Sequence, residues 1–291
     1  MNRLRISDLE AARLESPDMP DSQLVIELAQ RTLDELAMEP PISHEIIASI
    51  RDIARIEEAV IPWAGCLVHE DCVLVIRLRA SDSSGRKRFT VFHEIKHTYL
   101  PGFVTAPQYR CDPSTPLEAG RVRNRDVEAL CDLGAVELLL PRRPFSEDLV
   151  GNPPTLGLVE ALADRYEASL EATARRVVTL RSEPTLLIAL EPACTLREPG
   201  AEPRLRVKWV QASGMWPFVP KHKSVSADSP LARPLLGEIV DEAGSITGLA
   251  GDTISNVHIS ARLLPYADDQ GEQHMRVLAL ISPITRRHHA A

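Results

Sequence analysis

The sequence predicts an α+β protein built as consecutive modules: helices with a small mixed sheet, then a helix-turn-helix pair, then a further α+β module. Three observations predict it. Apolar residues recur at helical spacing over residues 22–54, the period shortens to strand-like runs over residues 56–78, and a helical stretch then carries the pattern His93-Glu94-x-x-His97. A chain of 291 residues is also too long for one small core and suits two or three modules.

Hydrophobic residues make up 44% of the chain and charged residues 25%, the balance of a globular protein that packs a core without staples. The net charge of −8 argues against a dominant nucleic-acid surface, which needs a concentrated basic patch. Five scattered cysteines with no C-x-x-C pair point to free thiols in a reducing compartment, not to a disulfide framework or a zinc knuckle. Residues 1–15 mix charged and apolar residues without the apolar run of a signal peptide, and nowhere do about 18 apolar residues follow one another. The expectation is a cytoplasmic protein with no membrane partner.

Residues 1–21 are charged and closed by Pro17 and Pro20, which predicts a poorly ordered or peripheral start. Ser22 opens a helix with Leu24, Leu28, Leu33 and Leu36 on one face, ended by Pro40-Pro41. Ser43 can cap a second helix over residues 44–54, with Ile46, Ile47, Ile50 and Ile53 as its buried stripe and His44 exposed in the first turn. Residues 56–61, 64–69 and 72–78 read as three strands, the last apolar on both faces and hence an inner strand. Residues 81–85 form a loop in which Ser84 can cap the next helix, residues 86–99, stopped by Pro101-Gly102.

On that helix His93 and His97 lie one turn apart on one face, so both imidazoles can reach one Zn²⁺ while Glu94 sits beside them as a general base. For a chain of this composition the pattern arises by chance only about 0.02 times. A catalytic zinc site takes three protein ligands and leaves a fourth position for water. Residues 103–125 read as a loop, and a helical run from Asp126 carries Glu128 and, one turn later, Asp132. That spacing lets Glu128 coordinate the metal while Asp132 accepts the N–H of a ligating imidazole. Two helices, a small mixed sheet and this helix form the order of a compact zinc peptidase, in which an edge strand beside the metal takes an extended substrate by strand addition.

These residues resemble the ImmA/IrrE metallopeptidases. The family's first motif, R-[RK]-F-T-x-x-H-E-[LI]-x-H, is matched within residues 86–97, and its second, E-x-x-A-[ND]-x-F-A-A-E-L-L-x-P, over residues 128–141. The resemblance covers residues 22–145 and implies a zincin-like core in which His93, His97 and Glu128 bind zinc, Glu94 activates water, and Asp132 holds a ligating histidine. Lys96 stands where Gly is common, Cys131 where Ala is common and Gly134 where Phe is usual, and none of these removes a ligand. Lys96 is expected to alter substrate fit or helix packing, and Gly134 to leave a hole that another side chain fills. Tyr99, His69 and Tyr109 are the candidates to stabilise an oxyanion. The implied partner is a protein substrate, a helix-turn-helix (XRE-type) repressor cut in a stress or mobile-element response; the alternative is a non-catalytic regulatory protein that binds a partner or DNA.

Residues 156–180 read helix, short turn, helix, and resemble the helix-turn-helix-like bundle that follows the peptidase core in this family, placed here at residues 146–182. Arg175, Arg176 and Arg181 are its candidates for DNA contact, but Glu160, Asp164, Glu167 and Glu171 dilute the charge, so direct DNA binding is not expected. Residues 183–291 read as an α+β module with strands at 185–190, 205–210, 254–264 and 274–282, joined near the end by a turn at residues 268–271. In the family such modules are associated with sensing or partner binding. Trp216, Phe218, Lys221 and His222 are candidates to line a site there, and Arg286-Arg287-His288-His289 forms a basic end whose histidines are metal-site candidates.

Overall fold

The computed structural model describes residues 6–101, 108–110, 124–194, 202–267 and 272–284. The expectations that fall on residues 103–107 and 111–123, on the Tyr109 side chain, on the 268–271 turn and on the tail from Arg286 to His289 lie outside the described residues, while residues 108–110, expected in a loop, form a strand. The α+β class is as the sequence predicts. Two compact units are present, residues 1–145 with 164–169 and residues 146–163 with 170–291.

In the first unit residues 8–15 form a helix, so of the two alternatives for this segment poor order does not hold there. Helix α1 (Asp8–Glu15) opens on a capping box in which the Glu10 amide donates to Ser7 Oγ at 3.2 Å and the Ser7 amide donates to Glu10 Oε2 at 2.8 Å. Leu9 and Ala12 are buried, and the Leu9 amide donates to the Tyr99 carbonyl at 3.1 Å. Helix α2 (Asp21–Glu35) buries Leu24, Leu28 and Leu33 as its spacing predicts. Helix α3 (His44–Ile50) is capped by Ser43 but ends earlier than expected, because Asp52 takes a φ of 57° and Ile53 already opens a strand. With only two turns α3 buries Ile47 and Ala48, while Ile46 and Ile50 remain exposed.

Strands β1 (Ile53–Ala59), β2 (Gly65–Glu70), β3 (Val73–Arg79) and β4 (Gln108–Arg110) form a mixed sheet in the order β1-β3-β2-β4. The apolar strand β3 is inner as predicted, parallel to β1 and antiparallel to β2. Asp71 and Cys72, with φ of 47° and 66°, supply the paired positive φ of a tight hairpin turn, so Cys72 belongs to the turn and not to the strand. Helix α4 (Ser84–His97) packs on β2 and β3, and every residue from Thr90 to His97 is buried. Helix α5 (Asn124–Leu139) packs against both α4 and α2, burying Cys131, Ala135, Leu138 and Leu139. Helix α6 (Arg142–Leu149) follows.

Helices α7 (Leu156–Tyr166) and α8 (Leu170–Leu180) are the predicted helix-turn-helix pair. In the second unit β5 (Thr185–Ala193), β6 (Arg204–Ser213), β7 (Val240–Ala250), β8 (Asp252–Ala267) and β9 (Gln273–Pro283) form an antiparallel sheet in the order β6-β5-β9-β8-β7. Its core holds Leu186, Ile188, Val207, Ile259, Val277 and Ile281. Strand β7 and a 3-10 helix (Pro230–Leu236) were not legible in the sequence. Val240–Ala250 contains Gly244 and Gly248 and few β-branched residues, and becomes a strand through its ladder with β8.

Candidate metal centre

The centre is built by α4 and α5. At the foot of α4, Arg79 Nε donates to Asp82 Oδ1 at 2.8 Å and Arg86 lies 3.4 Å from the same carboxylate, which ties the end of β3 to the first turn of the helix. Three turns on, the i, i+4 spacing sets His93 and His97 with ring centroids 5.1 Å apart, both fully buried. From α5, Glu128 Oε2 comes within 3.0 Å of His93 Nε2 and Glu128 Oε1 within 3.8 Å of His97 Nε2. His93 Nδ1 donates to Asp132 Oδ1 at 2.8 Å. The structure therefore brings together His93, His97, Glu128 and Asp132, with Glu94 beside them.

A donated Nδ1–H leaves His93 Nε2 with its lone pair, and a lone pair facing a carboxylate at 3.0 Å requires a proton or a cation between them. Burial, and then the neighbouring His93, hold His97 well below the usual imidazole range, so it is neutral. Behind His97 lies Cys131, its Sγ 3.4 Å from Nδ1, a contact in which Nδ1–H donates to sulfur when Nε2 carries the lone pair. Burial pushes the Cys131 thiol far up, so it is not a thiolate. The sequence carried Cys131 only as a departure from a motif; its place one residue before Asp132 on the buried face was the signal for this role.

Glu94 is wholly buried, and neither carboxylate oxygen has a hydrogen-bond partner of normal geometry among the described residues. Burial pushes its pKa up to about 8; His93 opposes that, Glu128 adds to it, and the Leu67 backbone amide opposes it. The close approach of β2 to this helix depends on Gly65, where a Cβ would lie 2.4 Å from Thr90 Cγ2 and 3.4 Å from Glu94 Oε1.

These residues fit a divalent cation. Tetrahedral zinc with bonds near 2.1 Å sets its ligand atoms about 3.4 Å apart, and the two imidazole-to-Glu128 separations, 3.0 and 3.8 Å, bracket that distance. The part-buried Glu128 carboxylate, 21% exposed and facing both rings, also supplies the negative charge that a cation would balance. His93, His97 and Cys131 lie close enough to share one ion as well. The sulfur, however, is set against the rear nitrogen of His97, whereas Glu128 spans the front nitrogens of both rings.

Residues 56–178 match the family model of the IrrE N-terminal-like domain, Peptidase_M78. Over this segment the chain is similar to the IrrE N-terminal-like domain. The IrrE-like segment contains both motifs and every residue of the centre, and the resemblance drawn from the motifs is borne out at the level of the family. No curated protein matches the chain. Among solved structures, a Mycobacterium tuberculosis transcriptional regulator shares the fold at a TM-score of 0.58 and 15% identity, over 96% of this chain and 82% of that one.

Within the IrrE-like segment, Lys96 is buried against α5, and its stem occupies the space above Gly134. Of the two effects expected of Lys96, helix packing is the one observed, and the hole expected at Gly134 is filled by Lys96 itself. Tyr99 is no oxyanion donor: its hydroxyl lies 3.1 Å from Thr32 Oγ1, and Arg51 and Lys96 stack on its ring at 4.0 and 3.9 Å. His44, expected to be exposed, is half-buried, its ring edge-on to Phe92 and its Nδ1 3.4 Å from Arg88 Nη1. His69 is exposed at the end of β2.

In the second unit Arg175 pairs with Glu171 at 2.8 Å and stacks on Trp209 at 3.8 Å, Arg176 is buried, and Arg181 donates to the Asn152 carbonyl. Trp216, Phe218 and Lys221 line a cleft with Val207 and Trp209, and His222 is not among its lining residues. Among the described residues no helix is long and apolar enough to cross a membrane.

Proposed function

We propose that this chain is a zinc-dependent endopeptidase in which His93, His97 and Glu128 hold the metal, Glu94 is the general base and Asp132 fixes the ring of His93. The observation that carries the reading is the single carboxylate of Glu128 facing the front nitrogens of both histidines. Zinc held there would lower the pKa of a bound water towards about 7 and polarise a peptide carbonyl. Glu94 accepts the proton of the attacking water at its carboxylate and returns it to the leaving amine. Its raised pKa suits that exchange, since a base whose pKa lies near the working pH both takes and gives a proton readily. Burial of Glu94 and His97 keeps bulk water from competing.

The substrate in this reading is a cytoplasmic helix-turn-helix (XRE-type) repressor, cut to release genes in a stress or mobile-element response. What supports a proteolytic over a DNA-binding role is the engagement of Arg175, Arg176 and Arg181 inside the second unit, together with the net charge of −8. Glu94→Gln tests the reading. The variant is expected to keep its zinc, measured by metal analysis, and to lose cleavage of a co-expressed repressor. A biological output that survives the substitution would show that catalysis is not the function.

A further inference from the structure

A glycine and a lysine lock α4 to α5 beside the metal centre. A Cβ added at Gly134 would lie 2.6 Å from Cε, 2.9 Å from Cδ and 2.9 Å from Cγ of Lys96. Three successive methylenes of Lys96 are thus pressed on the α5 backbone, not merely the free end of a flexible chain. Lys96 is 1% exposed, so the stem has no vacant path to swing into. Its far end is anchored as well: Nζ lies 3.9 Å from the centroid of the Tyr99 ring, which Arg51 also stacks on at 4.0 Å. Arg51 in turn donates to Thr98 Oγ1 at 2.8 Å, to the Thr98 carbonyl at 2.7 Å and to Asp8 at 2.7 Å.

Lys96 directly precedes His97 on α4, and Gly134 follows Asp132 by two residues on α5. The contacts that make the centre, His93 to Glu128 at 3.0 Å and His93 to Asp132 at 2.8 Å, all run from α4 to α5. The separation of those two helices therefore sets the width of the centre. We propose that Lys96 and Gly134 are positioning residues for the metal centre: the lysine stem, lodged on the glycine, is the spacer that fixes the α4–α5 distance at which Glu128 and Asp132 meet His93 and His97. The proposal rests on the zinc site described above and adds the device that tunes it.

The size of the effect follows from the distances. A methyl at position 134 lies 2.6 Å from Cε, and an ordinary contact begins at 3.4 Å, so the helices must part by 3.4 − 2.6 = 0.8 Å if the stem cannot yield. A parting of that size along the contact lengthens the 2.8 Å bond from His93 to Asp132 to about 3.6 Å, outside hydrogen-bond range. Losing the partner behind a ligating histidine weakens metal binding by about 10- to 100-fold.

The test measures zinc affinity by competition with a chromophoric chelator, and the melting temperature of the metal-free protein, for the full chain and four variants. Gly134→Ala should bind zinc about tenfold more weakly. Lys96→Ala combined with Gly134→Ala removes the stem that the new methyl strikes, and should recover most of the lost affinity relative to Gly134→Ala alone. Lys96→Met keeps an unbranched stem without the charge and should stay within about twofold of the unaltered protein, whereas Lys96→Ala alone should weaken binding. A Gly134→Ala protein with a lower melting temperature but unchanged zinc affinity would make the contact ordinary packing and overturn the proposal. So would failure of Lys96→Ala to rescue Gly134→Ala, or a tenfold loss in Lys96→Met, which also decides the matter if Gly134→Ala does not fold. An unaltered protein that binds no zinc overturns the site reading, and the spacer role with it, before any variant is compared.

Discussion

Asp132 sits behind His93 and decides which of its nitrogens carries the proton. Accepting from Nδ1 at 2.8 Å, it keeps a proton on the rear nitrogen and turns Nε2 towards Glu128, where a bound metal would take its lone pair. Asp132→Ala removes that acceptor, but the ring is not left stranded: the Asp132 side chain is 59% exposed while that of His93 is 2% exposed, so water can take the carboxylate's place at the rear nitrogen. Loss of such a partner costs about 10- to 100-fold in metal affinity, and the open rear face selects the lower end, about tenfold, or about 1.4 kcal/mol. Asp132→Asn keeps an acceptor oxygen without the charge and should lose less than Asp132→Ala. Chelator competition at constant pH measures both, with circular dichroism of the metal-free proteins confirming the fold. Zinc binding within twofold of the unaltered protein in Asp132→Ala, or a weaker Asn than Ala variant, would refute the assigned tautomer.

Cys131→Ala should retain zinc to within a few-fold, since its sulfur meets the rear nitrogen of His97; a variant unable to bind zinc would install Cys131 as a ligand in place of Glu128. Gly65→Ala places a methyl 2.4 Å from Thr90 Cγ2 and 3.2 Å from the Arg77 carbonyl, and should destabilise the protein by about 1–3 kcal/mol in urea unfolding, with partial rescue by Thr90→Ser; equal stability would mean that β2 moves freely on α4. At Glu191, burial raises the pKa but is outweighed by the Tyr266 hydroxyl at 2.6 Å and by Lys208 at 2.9 Å, so the folded value lies below the ordinary 4.5. The stability it contributes is present above 4.5 and is lost as pH falls through the folded value, so the melting-temperature advantage over Glu191→Gln should vanish on acidification; an advantage that persists in acid contradicts the pairing.

Much of the centre was legible because its logic is local. The i, i+4 spacing puts His93 with His97, and Glu128 with Asp132, on single helical faces in any context that keeps those segments helical. The inner strand β3 and the Ser43 cap were legible for the same reason: an apolar run and a side-chain-to-backbone bond are near-neighbour features. Where the sequence reading failed, a long-range partner decided. The box at Ser7 and Glu10 was written in the sequence, but only the burial of Leu9 and its bond to Tyr99 make α1 part of the unit. Val240–Ala250 has weak strand character and is held extended by β8. Ile46 and Ile50 looked like core until the short α3 turned only one face inward.

The pattern of residues along α4 and α5 thus names the groups that face one another, since helical periodicity requires nothing beyond the chain itself. It does not set how far apart the two helices lie, because that distance is a packing quantity fixed by side chains distant in sequence. Tertiary structure alone lodges the Lys96 stem on Gly134, sets Cys131 behind His97, and buries Glu94 deeply enough to raise its pKa to about 8. Each of these depends on the volume and dielectric that neighbouring elements create, which no local pattern encodes.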